Sequence, residues 1–357
     1  MIKRIFASVK AQEKYMKRCL GLAVKGFGKT GTNPMVGCVI VHKGKIIGEG
    51  FHRAYGEAHA EVNAINSVKD KSLLQRSTLY VSLEPCSHFG KTPPCADLII
   101  AKKIPAVVIG AVDSNPIVKA KGIQKLIQAG IDVKTGVLEE ECRELNKRFF
   151  TYFEKKRPYI ILKWAQTADG FIDKRRKPGD NLPPLQVSNS ASRRLSHLWR
   201  TQEQAIMVGT RTALLDDPQL NVRLGKGRNP LRIMLDKDLV IPANFHLLDD
   251  STPTLVFTAK EKRSSGNIEY VKVPFKNEKA SLKAMMRELF KRKVQSLIVE
   301  GGSELLNSFI KEELWDEARV FYSGKKIQEG VRAPLLKGHP AEKKMISGNK
   351  LFIYRNR

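Results

Sequence analysis

No stretch of this sequence stays apolar for the roughly 18 residues that a membrane-crossing helix needs, so no span is expected. Cysteine is scarce and odd in number, five in 357 residues. That argues against a disulfide framework and for a reducing compartment, so the expectation is a cytoplasmic protein. Internal repeats and low-complexity tracts are missing. Acidic residues are few, 36 against 63 basic ones, giving a net charge of +27. Such an excess fits nucleic acid or phosphorylated substrates. The cations are scattered through "KEKR", "KRKV" and "EKKM" and not gathered in a block, which favours an ordinary solvated surface. No aromatic-interleaved basic patch of the kind that stacks bases is present. The opening "MIKRIFASVKAQEKYMKR" is basic and amphipathic without a secretion core, and reads as a first helix.

The length suggests two domains. "MVGCVIV" (35–41) and "KIIGEGF" (45–51) read as strands around an "HKGK" turn. Next come a helix (59–68), a strand (78–85), a proline-opened helix (94–102), a strand (106–112), a helix closed by Gly130 and a strand at "IDVKTGV". This alternation implies an α/β layered domain with parallel neighbours. One amphipathic helix over 139–156 ends at "RP", placing the boundary between domains 1–155 and 156–357. A second α/β pattern follows. "YIILKWAQTADGFI" is a strand and turn, "DKRRKPGDNLPP" is irregular, and "SASRRLSHLWRTQ" is a helix. Strands follow at "AIMVGT", "LRIMLD", "TLVFTA" and "SLIVE", with a helix at "SLKAMMRELFKRK" before the last of them.

His59, Cys86 and Cys95 form a three-protein-ligand set for zinc, which leaves a fourth tetrahedral position for water. Two thiolates cancel the metal's charge and leave that water less acidic, so a nearby base helps; Glu61, two residues from His59, is placed to be it. Pro93 and Pro94 put Cys95 in the first turn of a helix, whose N-terminus favours a thiolate. The bland reading makes His59 a helix cap and both cysteines buried thiols. The combination of H-x-E, P-C and a cysteine at a helix start favours the metal. Eight residues separate the cysteines, where the short-gap zinc deaminase signature has two.

"NPMVGCVIV", "HAE" and "EPCSHFGKTPPC" together resemble the deaminase half of the bifunctional riboflavin-biosynthesis deaminase/reductase family, in which the longer gap is typical. The resemblance implies a cytidine-deaminase-like α/β/α layered domain. It also implies hydrolytic removal of an amino group from a pyrimidinone bearing a phosphoribosylamino arm, with Glu61 shuttling the proton to ammonia. Substrate contacts implied at matching positions are Asn33, His52, Lys91, Asp113 and Asn115. Asn33 can both donate to and accept from a pyrimidine edge, and Lys91 offers a cation to the phosphate. Asn33 also reads as a turn residue, and His52 and His88 as structural histidines, the reading preferred for His88. Ala120 stands where the family usually has glycine.

In the second half, "SLIVEGGSELLNSFI" places two glycines between a strand and a helix start, where backbone N–H groups can hold a phosphate. With "LKWAQTADG" and "IMVGTRTALLDDPQLNVR" it is similar to the same family's reductase half. That implies a C-terminal dihydrofolate-reductase-like α/β domain and reduction of the ribose arm by NADPH. The resemblance places the dinucleotide at Ala165, Thr212, Asp216, Gly302, Ser303 and Glu304, and substrate at Lys163, Arg200, Leu220, Arg223 and Glu300. Two departures stand out: Gln186 where an aromatic is common, within a longer 174–189 loop, and Lys237 where a serine often faces the cofactor. The expected partners are small phosphorylated pyrimidines and a second copy of the chain, as a dimer or tetramer. Zinc and NADPH are the expected cofactors. The competing reading is a tRNA-type base deaminase with a basic accessory domain.

Overall fold

Alternation within the strands decides the layering of the first half. Cys38 and Ile40 face one way with Leu79, Val81, Val107 and Ile109, while Val39 and Val41 face the other with Tyr80 and Val108. A strand apolar on both faces needs cover on both. The computed structural model provides it, and describes residues 6–88, 93–116, 118–180 and 182–356. The chain divides into two compact units, Met1–Lys155 and Lys156–Arg357.

In the first unit the strands are β1 (Gly37–His42), β2 (Lys45–Phe51), β3 (Thr78–Leu83), β4 (Ala106–Ala111) and β5 (Asp132–Lys134). They form a sheet in the order β2-β1-β3-β4-β5. Helices α1 (Val9–Ala23), α5 (Glu139–Leu145) and α6 (Lys147–Lys155) contribute to the core on one face. Helices α2 (Ala60–Ser67), α3 (Cys95–Ala101) and α4 (Lys121–Gln128) contribute to the core on the other. Small residues set the closeness of this packing. A Cβ at Gly50 would lie 2.3 Å from the Ala64 nitrogen, and one at Gly37 2.0 Å from the Cys19 carbonyl oxygen.

Two expectations are corrected here. Neighbouring strands are not all parallel: β1 runs antiparallel to both β2 and β3, and only β3, β4 and β5 are parallel. The single helix expected over 139–156 is two, because Asn146 leaves helical geometry (φ −108°, ψ 27°). Its buried side chain bonds both the nitrogen and the carbonyl of Met35, at 2.8 and 2.9 Å. A side-chain amide that satisfies a distant backbone competes with helix continuation.

The second unit has β6 (Tyr159–Gln166), β7 (Phe171–Asp173), β8 (Ala205–Val208), β9 (Leu231–Leu235), β10 (Thr254–Thr258), β11 (Ile268–Lys272), β12 (Ser296–Val299), β13 (Glu317–Tyr322), β14 (Val331–Arg332), β15 (Glu342–Ile346) and β16 (Asn349–Arg355). Its helices are α7 (Ser190–Gln202), α8 (Thr210–Asp216), α9 (Glu278–Lys291) and α10 (Ser303–Lys311). A nine-stranded sheet runs β11-β10-β9-β8-β12-β6-β13-β16-β15, and β7 pairs with β14. It is parallel from β11 to β13, and antiparallel beyond. α9 and α10 pack into the core of one face, α7 and α8 into that of the other. The elements β11, β13, β14, β15, β16 and α8 were not foreseen. In β13, the charges of Glu317 and Arg319 interrupt the apolar pattern, and they are buried by pairing with each other at 2.6 Å. Among the described residues no helix is long and apolar enough to cross a membrane.

Candidate functional sites

Strand direction gathers the first site. β3 and β4 end at Leu83 and Ala111, so Cys86 and Asp113 lie just beyond their C-terminal ends. Because β1 is antiparallel to β3, with Cys38 opposite Val81, the N-terminal end of β1 and the C-terminal end of β2 meet that same edge. Asn33 and His52 therefore arrive there too. The C-terminal edge of an open α/β sheet is the usual place for a site.

His59 is the N-cap residue of α2 and makes no side-chain cap bond, so its ring is available. Its Nδ1 lies 3.5 Å from the Cys86 sulfur and 3.4 Å from that of Cys95. The Cys95 backbone N–H donates to the Cys86 sulfur at 3.3 Å, as expected of a first-turn residue after Pro94. The three ligand atoms lie within 4.8 Å of one another. The Cys95 thiol beside it, and then the His59 ring, pull the Cys86 thiol well below its ordinary value. Two soft sulfurs and one imidazole nitrogen at this spacing fit zinc, and they leave one coordination position to something else. Glu61 is 3% exposed, and burial, then the charge at Cys86, push its carboxyl up to about 7.

His52 is buried, which lowers its pKa. Its Nδ1 faces the Ala58 carbonyl at 3.2 Å and its Nε2 faces the Asn33 amide nitrogen at 3.1 Å. A neutral ring bonded this way fixes the amide's orientation. Asp113 accepts the Asn115 N–H at 2.6 Å, and burial pushes its carboxyl up to about 7. His88 is exposed. Lys91 lies outside the described residues.

Glu84 was not foreseen. Its buried carboxylate accepts backbone N–H groups from Asp113, Ala120, Gly122 and Ile123 at 3.0–3.4 Å, tying the 113–123 segment to the strand that leads to Cys86. Ala120 adopts φ +60°, a left-handed conformation in which glycine would be unstrained. The signal was in "EPC", an acidic residue at the end of an otherwise apolar strand.

The second site is a cleft of about 910 Å³ at the C-terminal ends of β6, β8, β9 and β12. Lys163, Ala165, Thr212, Asp216, Glu300, Gly302, Ser303 and Glu304 all line it. No side chain caps the start of α10, whose N-cap residue is Gly302. A Cβ there would come 3.0 Å from the Thr212 hydroxyl. The uncapped helix start and the room that glycine leaves fit a dinucleotide phosphate, and Lys163, Arg175, Arg193 and Arg211 add cations to the walls.

Around Glu300 the expected substrate residues form a charge network. Arg200 reaches the Glu300 carboxylate at 2.7 and 3.3 Å, and Lys163 stands 3.8 Å from it. Burial raises the Glu300 carboxyl, but Arg200 and Lys163 outweigh it and hold the group at about 2. Arg223 joins through His197, whose Nδ1 accepts the Arg223 backbone N–H at 3.1 Å. Burial, then Arg200 and Arg223, press His197 down to about 4. His197 was not foreseen, although it precedes Arg200 by one helical step. Arg200, Arg223 and Leu220 are not among the cleft-lining residues, and the Leu220 side chain lies in the core. Lys237 is exposed and also not among them, whereas Gln186 lines the cleft. Burial lifts the Asp216 carboxyl while Arg176, at 2.5 Å, holds it back.

Comparisons with known proteins agree on both halves. The cytidine and deoxycytidylate deaminase zinc-binding region matches residues 9–111, and the RibD C-terminal domain matches residues 158–342. The riboflavin biosynthesis protein RibD of Aquifex aeolicus is 42% identical over 89% of this chain and 88% of its own length. That of Escherichia coli is 35% identical over 90% of this chain and 89% of its own. Among solved structures, the diaminohydroxyphosphoribosylaminopyrimidine deaminase/5-amino-6-(5-phosphoribosylamino)uracil reductase of Thermotoga maritima superposes with a TM-score of 0.85 at 37% identity, covering 98% of this chain and 99% of that one.

Proposed function

This chain belongs to the RibD family, and from that premise we infer a bifunctional enzyme of riboflavin biosynthesis, with a zinc-dependent deaminase in residues 1–155 and an NADPH-dependent reductase in residues 156–357. Its substrates are small pyrimidines. We take the first to be a diaminopyrimidinone with a phosphoribosylamino arm, and the second to be the resulting aminouracil, whose sugar is reduced to a ribityl arm.

The observation that carries this reading is the close triad of His59, Cys86 and Cys95 beside the buried Glu61. When bound, zinc supplies the Lewis acidity that makes a water nucleophilic near neutral pH, and NADPH supplies a hydride. His59, Cys86 and Cys95 hold the metal. Glu61 takes the proton from the attacking water and passes it to the leaving amine, which departs as ammonia. His52 sets the Asn33 amide for the pyrimidine edge. Asp113 and Asn115 offer polar groups at the same edge, and Lys91 supplies a cation for the phosphate. In the second unit, Gly302, Ser303 and Glu304 at the start of α10, with Thr212, Ala165 and Asp216, hold the dinucleotide. Glu300, fixed by Arg200 and Lys163, faces the substrate sugar. Arg223 reaches the substrate phosphate, and Leu220 supports that segment from the core.

We further propose a cytoplasmic homo-oligomer, dimer or tetramer, without a nucleic-acid partner. Sedimentation checks the first point, and RNA titration at physiological salt the second. The decisive assay supplies the phosphoribosylamino-pyrimidinone with NADPH and follows ammonia and the nicotinamide absorbance together. Both signals are expected, with ammonia first. Ammonia without NADPH oxidation confines the activity to the first unit, and neither signal overturns the reading.

A further inference from the structure

The 174–189 loop carries Lys174, Arg175, Arg176 and Lys177 in a row, and three of the four are exposed. Arg176 is not, at 4%. Its Nε and Nη2 donate to one oxygen of Asp173 at 2.9 and 2.5 Å, Nη2 also reaches Asp216 at 2.5 Å, and Nη1 donates to the Leu215 carbonyl at 3.0 Å. The other Asp173 oxygen accepts the Leu185 N–H at 2.9 Å, which closes the loop on its own start. Arg211 donates to the Arg176 carbonyl at 3.0 Å, and Lys325 to that of Gln186 at 2.6 Å. Beyond this tie, residues 184–188 form a wall of the second-unit cleft.

Resting on the reductase reading above, we propose that Arg176 is a positioning residue for the dinucleotide: by bridging Asp173 and Asp216 it holds residues 184–188 as a fixed cleft wall and sets the Asp216 carboxylate. A planar guanidinium can serve two carboxylates and a carbonyl at once, and a lysine ammonium cannot reproduce that fork. A wall ordered before binding spares the complex the entropy of ordering it, which raises affinity without adding a contact. Asp173 and Asp216 both line the cleft, and the bridging cation offsets their repulsion of a polyanion.

The test uses the full-length, zinc-loaded chain and Arg176→Met. Trp164 lies in the cleft wall, so quenching of its fluorescence titrates NADPH directly. The dissociation constant and KM for NADPH are expected to rise about tenfold while kcat stays within about twofold. Tryptic cutting at Lys174 and Arg175 should also speed up. Arg176→Lys should behave like the methionine variant. An unchanged dissociation constant in Arg176→Met, or full rescue by lysine, overturns the proposal. So does a parallel fall in kcat, affinity and thermal midpoint, which marks a general folding role. If the unmodified chain neither binds nor oxidises NADPH, the reductase reading fails and this inference with it. Normal binding with an indifferent variant sinks the inference alone.

Discussion

Glu61 and Glu300 are glutamates with side chains nearly out of solvent beside the two sites, yet burial drives one up to about 7 and cations hold the other at about 2. Around Glu61 are apolar burial and the charge at Cys86. Glu300 has Arg200 and Lys163. A carboxyl poised near neutrality can exchange a proton, whereas one locked in ion pairs can only anchor. The difference shows that the same side chain is set by its neighbours to two opposite charge states. The contrast fits the proposed division of labour, with proton transfer assigned to Glu61 in the first unit and fixed charges around the cleft of the second.

That contrast can be broken in four places. The largest effect should come from Glu61→Gln, which keeps shape and removes the proton carrier. Deaminase turnover should drop about 10²–10⁴-fold. Zinc content, and NADPH oxidation when the aminouracil is supplied directly, should hold steady, while Cys95→Ser should lose zinc by metal analysis. Retained turnover in Glu61→Gln would reassign the base.

Next is Arg200→Met, which leaves Glu300 with Lys163 alone. A half-broken buried pair of this kind costs about 3–5 kcal/mol. All three tryptophans, Trp164, Trp199 and Trp315, lie in the second unit. Tryptophan fluorescence in urea therefore isolates the loss, and a shift below 1 kcal/mol, on the order of a surface pair, would show that Arg200 is not an anchor.

Glu84→Gln is gentler. One amide oxygen replaces a carboxylate that accepts four N–H groups, which should cost about 1–3 kcal/mol. KM for the pyrimidine should rise through the 113–123 segment with zinc retained. Loss of zinc instead would make Glu84 part of the metal centre's support.

The smallest effect is in pH. His197 has a folded pKa of about 4, below its ordinary 6.5, so its contribution is present above 6.5 and lost as pH falls toward 4. Glu300, at about 2 in the fold against 4.5, loses its contribution as pH falls below 4.5. Asp113 is raised from 3.8 to about 7, so its contribution is full below 3.8 and lost as pH rises to 7. Acidification from pH 7 should thus weaken the second unit by tryptophan fluorescence. Asp113→Asn should flatten the opposite slope in the first unit, followed by circular dichroism. Identical slopes for that variant and the parent would remove Asp113 from the account.

Much of the first site was legible because metal chemistry is local in sequence. A histidine and a glutamate two residues apart at a helix start, with cysteines after a strand and after Pro94, leave few other uses for that combination. The alternation of strand and helix gave two α/β units for the same reason: period-two and period-3.6 patterns are written residue by residue. The cleft residues were placed through resemblance, and the structure lines the cleft with eight of them but not with Arg200, Arg223 or Leu220. What stayed hidden were groups whose partners are far along the chain. Glu84 meets residues 29–39 positions later, Asn146 meets Met35, and Arg176 meets Asp216.

By itself the sequence determined the donor set, the layered architecture and the presence of a glycine-opened helix start, since each follows from residue type at short spacing. Only the tertiary structure decided that β1 runs against β3, and that direction brings Asn33 and His52 to the edge where Cys86 and Asp113 emerge. It also decided which carboxylates sit near neutrality and which are locked in charge. A pKa is set by burial and by neighbours in space, and neither is a property of the residue's place in the chain.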